Sequence, residues 1–215
     1  MISSSGAMYF FIVKNTPFNI LNSNLIIAEK NGDILAIGEI VLEKVCAFIE
    51  EYHPEDYGIK SIHVNLSVVQ CMQENIGIRL LNIIDKYKIP HGLIDFEITE
   101  STADNSSENL DKIMDDFNKK GIDFSLDDYG TGYSNQSNLM RYPYSIVKID
   151  KSLVWACDSN PKAFISLKHT IAMIKDLDMK VLAELITLTA KDFDAKADYI
   201  REKVTEICEK YPIYE

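Results

Sequence analysis

Asp123-Phe124-Ser125-Leu126-Asp127-Asp128-Tyr129-Gly130-Thr131-Gly132-Tyr133-Ser134 is the stretch on which the rest of the chain hangs. Apolar and β-favouring residues lead into two adjacent carboxylates and then at once into a glycine-rich turn. That order predicts a buried strand that delivers Asp127 and Asp128 to its C-terminal end. Barrels and open sheets of the α/β class place their sites there. Two neighbouring carboxylates in a partly dry setting repel each other, and a divalent cation is the simplest relief. A strand ending in a polar turn, with one aspartate capping the next helix, fits the same spacing.

Outward from this stretch, strands and helices alternate. Ser61-Ile62-His63-Val64-Asn65-Leu66-Ser67 reads as a strand ending at a polar mouth, and Leu93 to Ser101 as a short strand carrying acids toward its end. His63, a single histidine with no partner at ligand spacing, reads as a packed strand residue and not a metal ligand. Tyr144 to Lys151 and Asp178 to Glu184 give two more strands. Lys148, leaving its strand beside acids, could anchor a nucleophilic water or a phosphate oxygen, or simply pair with Asp127 or Asp128.

Helical periodicity fills the gaps. Ile37, Ile40, Val41, Val45, Phe48 and Ile49 mark one apolar face; Ile76, Leu80, Leu81, Ile83 and Ile84 mark a second, and Leu110, Ile113, Met114 and Phe117 a third. The third is expected to close on Gly121 in the left-handed conformation. Asn160-Pro161 opens a fourth helix, with Phe164, Leu167, Ile171 and Ile174 on its face. Strands alternating with helices predict parallel βαβ units and a barrel-like α/β fold of about six strands.

The balance of 22 Lys and Arg against 33 Asp and Glu gives a formal charge of -11, which disfavours a non-specific grip on nucleic acid or anionic lipid. With 47% hydrophobic residues in 215, one well-cored domain is expected. Cys46, Cys71, Cys157 and Cys208 form no C-x-x-C pair, so reduced thiols and a cytoplasmic setting are expected. Met8 to Val13 is too short an apolar run to span a bilayer. Residues 1–24 are poorly patterned, a leader with one possible strand broken by Asn15-Thr16-Pro17.

The Asp127-Asp128 stretch is similar to the Asp-Asp-Phe-Gly-Thr-Gly-Tyr-Ser signature of the EAL family, the cyclic di-GMP phosphodiesterases, with Tyr129 for the usual Phe. Leu25-Ile26-Ile27-Ala28-Glu29-Lys30-Asn31-Gly32 with Ile37-Gly38 and Val41-Leu42-Glu43 resembles the family's "FIPLAEESGLI…IG.WVLE" segment. Val64-Asn65-Leu66-Ser67 resembles its Val-Asn-Leu-Ser strand, Glu97-Ile98-Thr99-Glu100 its Glu-Leu-Thr-Glu strand, and Lys148-Ile149-Asp150 its Lys-Ile-Asp element. The resemblance implies a modified TIM barrel that cuts cyclic di-GMP to a linear dinucleotide with magnesium or manganese. It implies that Asn65, Glu97, Asp127 and Asp128 bind metal and that Lys148 and Glu184 assist catalysis. It further implies that Glu100 steadies the substrate loop Gly130, Thr131, Gly132, Tyr133 and Ser134.

Two departures qualify that implication. No Glu-Ala-Leu occurs in the chain, and Ala183-Glu184 is followed by Leu185-Ile186-Thr187, so the second acid of the family's Ala-Glu-Gly-Val-Glu motif is Thr187. Residues 25–186 therefore read as an EAL-like domain lacking the Glu-Ala-Leu strand and the last barrel units, an incomplete TIM-like barrel with weak metal binding and little or no turnover. Cyclic di-GMP is its expected ligand, and exposed barrel edges make self-association an expected property. A non-catalytic module that binds nucleotide or protein, and a remnant of a disrupted gene, are the alternatives. Residues 187–215 read as a non-family helical tail that weakly resembles the end of serine hydroxymethyltransferases, without their pyridoxal-phosphate chemistry.

Overall fold

The computed structural model describes residues 27–105, 107–131 and 136–183. Two compact units divide the chain, one running through Asp127 and taking in 134–145, the other made of 128–133 and the chain from Ile146 onward. The strand expected at Met8 to Val13, Glu184 and the tail 187–215 lie outside the described residues.

In the first unit helix α1 (Ile34–Tyr52) is followed by β1 (Ile62–Asn65), the short α2 (Val68–Cys71), α3 (Ile76–Ile84) and β2 (Ile94–Thr99). Then come α4 (Glu100–Asn105), α5 (Ser107–Asn118), β3 (Asp123–Tyr129), whose last two residues belong to the second unit, and α6 (Gln136–Arg141). β1 pairs with β2 and β2 with β3, both in parallel. In the second unit β4 (Ile146–Ile149) is joined through α7 (Lys151–Ser159) and α8 (Pro161–Asp176) to β5 (Lys180–Ala183), again in parallel. Helical crossovers between parallel neighbours are what parallel pairing requires, and they bear out the α/β class.

Register sorts the residues of β1 to β3 onto two faces, because neighbours in a parallel pair share a face and side chains alternate along each strand. Ile62 sits beside Ile94, Val64 beside Phe96, Phe96 beside Phe124, and Ile98 beside Leu126, which makes one face wholly apolar. The rings of Phe96 and Phe124 meet Phe117 of α5 at centroid separations of 5.3 and 5.7 Å, and each other at 5.8 Å. All three rings are fully buried, and this triplet seats the helix on the sheet.

The opposite face carries His63 beside Asp95, Asn65 beside Glu97, Glu97 beside Ser125, and Thr99 beside Asp127. β2 is buried along nearly its whole length yet apolar on one face only. Its polar side is thus covered as well, the situation of a strand lining a barrel interior and not of one facing water.

Local signals explain the element ends. Ser67 and Gln70 form a reciprocal cap, Ser67 Oγ accepting from the Gln70 amide at 3.3 Å and Gln70 Oε1 accepting from the Ser67 amide at 3.1 Å. Gln70 is buried against Gly38 of α1, where a Cβ would collide with the Gln70 side-chain amide. Gly121 closes the turn after α5 at φ 77°, as its position predicted. Asn160 caps α8, accepting from the Lys162 amide at 3.0 Å.

The face of α1 differs from the periodic reading. Leu42, Val45, Cys46 and Ile49 are the buried stripe, while Ile40 is about half exposed at 52% and Ile37 stands at 37%. Both sets obey helical spacing. A helix rich in β-branched apolar residues offers two overlapping stripes, and packing against the sheet selects the one that includes Cys46. Among the described residues no helix is long and apolar enough to cross a membrane.

Candidate functional site

The polar face of β1 to β3 is where the first unit gathers chemistry. Asn65 ends β1, Glu97 lies near the end of β2, and Asp127 lies near the end of β3, so the parallel direction brings all three toward the same, C-terminal, edge. Glu97 is 1% exposed, and Asp95 behind it 2%. Buried carboxylates are costly unless neighbours answer their charge.

His63 lies against both. Its Nδ1 lies 2.7 Å from Glu97 Oε1 and 3.5 Å from Asp95 Oδ1, with the three side chains nearly fully enclosed. The 2.7 Å separation lies within ion-pair distance. On the far side of the ring Nε2 lies 3.2 Å from Ser61 Oγ. Ser145 Oγ donates to Asp95 Oδ2 at 3.1 Å. Burial pushes the Asp95 carboxyl above its ordinary range, against opposing pulls from His63, Ser125 and Ser145, while Glu97 adds to the rise. The sign follows from the raised value. Asp95 costs the fold nothing below the ordinary carboxylate pKa, and the cost grows as pH rises through the folded pKa.

Glu100 begins α4 and is buried at 4%, an acid placed favourably at a helix N-terminus. In the second unit Asp128 adopts φ 55°, the left-handed region, which ends the extended run of β3. Thr131 closes the turn, its amide donating to the Asp128 carbonyl at 3.2 Å and its hydroxyl to the same oxygen at 3.0 Å. Gly130 follows at φ 101°, and a Cβ there would run into Leu153 of α7. The Tyr129 carbonyl accepts from the Asp150 amide at 3.1 Å, while the Asp150 carboxylate caps α7 by accepting from Ser152 N at 2.7 Å. Lys148, on β4 beside Leu182 of β5, is buried at 3%.

The left-handed backbone at Asp128 yields a prediction. Asp128→Asn, which tolerates this conformation, is expected to lower the denaturant midpoint less than a β-branched residue does. Asp128→Val is expected to cost about 1–2 kcal/mol, because a β-branched side chain is strained there. Chemical denaturation of the two variants side by side checks both.

The structure therefore brings Asn65, Glu97 and Asp127 to one face of the first unit. Asp128, Gly130, Thr131 and Lys148 belong to the second unit, and Gly132, Tyr133, Ser134 and Glu184 lie outside the described residues. His63 is the participant that the spacing argument passed over. A signal for it was present, since His63 has the same strand parity as Asn65 and so must share its face.

A divalent cation of the magnesium or manganese type takes hard oxygens, and an amide with two carboxylates on one face fits that preference by donor type. Among the described residues, however, no three His, Cys, Asp or Glu side chains close on a common point suited to an ion.

The EAL domain family model matches residues 21–191. The chain is 29% identical over 178 residues to the signaling protein YkoW of Bacillus subtilis, covering 81% of this chain and 22% of that protein. It is 31% identical over 167 residues to the bifunctional diguanylate cyclase/cyclic di-GMP phosphodiesterase MucR of Pseudomonas aeruginosa, covering 77% of this chain and 24% of MucR. The chain thus spans about a quarter of the length of these relatives. The solved complex of the PaMucR phosphodiesterase with c-di-GMP superposes with a TM-score of 0.71 at 27% identity, over 85% of this chain and 72% of that one. The likeness gives the fold as the TIM-like barrel of these domains.

Proposed function

The chain belongs to the EAL domain family, related to the cyclic di-GMP phosphodiesterases, and from that membership we propose that it is a cyclic di-GMP-binding domain with little or no hydrolytic turnover. The observation that carries this reading is the covered polar face on which Asn65, Glu97 and Asp127 approach the C-terminal edge of parallel strands. A face of that kind inside a fold is maintained against a desolvation cost, which is the expected mark of a site and not of a plain core.

In this reading Asn65, Glu97 and Asp127 hold magnesium or manganese weakly, joined by Asp128 through its place in the motif. The ion supplies positive charge against the phosphodiester when bound. The chain's own groups do the rest. The turn held by Thr131 and by the Asp150 amide fixes where the glycine-rich loop leaves β3, and Gly130 keeps that departure open for Leu153. Lys148, Glu100, Glu184, Gly132, Tyr133 and Ser134 enter by their positions in the motifs, Lys148 toward a phosphate oxygen and the loop residues toward the nucleotide. Self-association through strand edges is part of the same proposal.

Calorimetric titration with cyclic di-GMP in the presence of manganese tests it. Saturable binding is expected, and Asp127→Asn should weaken manganese and nucleotide together, because one carboxylate of the set loses its charge. Equal affinities in wild type and Asp127→Asn, or no binding by the wild type, overturn the proposal.

A further inference from the structure

We propose that His63 is a positioning residue that holds the Glu97 carboxylate in place for cation binding, an inference that rests on the metal-dependent reading of the same face. The imidazole is fixed from both ends, by Ser61 Oγ at 3.2 Å from Nε2 and by Glu97 Oε1 at 2.7 Å from Nδ1. It has little freedom to swing away, since its side chain is 5% exposed. Glu97, at 1%, is equally confined. Setting one oxygen of a carboxylate fixes the plane of the group and hence where the second oxygen lies. That is how an outer partner orients a metal-binding carboxylate.

Register makes the arrangement specific. Asn65 is the direct parallel neighbour of Glu97, and His63 stands two residues before Asn65 on the same face. The ring therefore meets Glu97 from the N-terminal side, away from the C-terminal edge that Asn65 and Asp127 approach. Asp95, beside His63 in the sheet, is bound through Oδ2 by Ser145 Oγ at 3.1 Å, and its Oδ1 lies 3.5 Å from the same Nδ1, farther away than Glu97 Oε1.

Three substitutions test this in the full chain. His63→Leu removes the polar edge, His63→Asn places an amide nitrogen where Nδ1 stands, and His63→Gln carries its amide one atom farther out. Manganese affinity, read by electron paramagnetic resonance of the free ion, is expected to fall by about 10- to 100-fold in His63→Leu and His63→Gln, and to stay within a few-fold of wild type in His63→Asn. A purely structural role would lower the metal-free melting midpoint without separating Asn from Gln. If His63→Leu fails to fold, the Asn and Gln pair still decides. In the metal-free protein, Glu97→Gln is expected to shift the His63 ring nitrogen resonances. Manganese affinity of His63→Leu equal to wild type, equal losses in Asn and Gln, or unmoved ring resonances overturn the positioning role alone. Absence of manganese binding by the wild type overturns the metal reading and this role with it.

Discussion

The purified 215-residue chain, loaded with manganese, is expected to turn over cyclic di-GMP far more slowly than about 1 s⁻¹, the low end of ordinary enzyme rates. The reason lies in the ligand frame and not in the Asp127-Asp128 turn, which is formed and closed by its own hydrogen bonds. Two-ion hydrolysis tolerates little error, since the ions must sit about 3.5–4 Å apart and the attacking water must be held in line. These 215 residues contain no Glu-Ala-Leu, and on the proposed reading of the motif Thr187 takes the place of its second acid. Loss of an outer partner alone costs about 10–100-fold, and loss of ligands costs more. Thr187→Glu by itself should recover little. Adding a Glu-Ala-Leu strand together with Thr187→Glu should give measurable hydrolysis, read by chromatographic separation of the linear dinucleotide. Wild-type turnover at or above about 1 s⁻¹ would show the ligand argument to be wrong.

Phe117→Ala is expected to destabilise the first unit by about 3–5 kcal/mol, the range for deleting a buried ring. Phe117 comes from α5 and packs against Phe96 of β2 and Phe124 of β3, so its removal opens a cavity where a helix meets two strands. The neighbouring rings cannot collapse into that space without moving strands whose opposite face holds the His63–Glu97 contact. Stability of whole domains is about 5–15 kcal/mol, so this one change is expected to consume a large share. Urea denaturation followed by circular dichroism measures it. A loss under about 1 kcal/mol would mean that the three rings do not form the central packing of the unit.

The strands and most helices were legible from residue order. Asp123 to Tyr129 forms the strand its composition predicted, and so do the segments around Val64, Phe96, Val147 and Val181. Gly121 and Asn160-Pro161 ended and began helices as their chemistry required. These are local effects, governed by glycine's tolerance of positive φ and by side-chain oxygens accepting from early helix amides. Asn65, Glu97 and Asp127 were legible as a set through the EAL likeness, and alternation along the strands then accounts for their shared face.

Residue order alone determined the parallel α/β class, the strand that presents Asp127, and the motifs that tie this chain to its family, because strand pattern, turn chemistry and short motifs are written within a few neighbouring positions. Tertiary structure alone decided which stripe of α1 is buried, burying Cys46 and leaving Ile40 exposed. It alone turned His63 from a packed strand residue into the partner of Glu97, since parallel register between segments more than thirty residues apart is what sets them 2.7 Å apart. It also raised the Asp95 carboxyl, a consequence of burial that no run of neighbours could reveal. Side-chain identity fixes what a residue can do, but packing between distant segments fixes what it meets, and it is packing that sets His63 against Glu97.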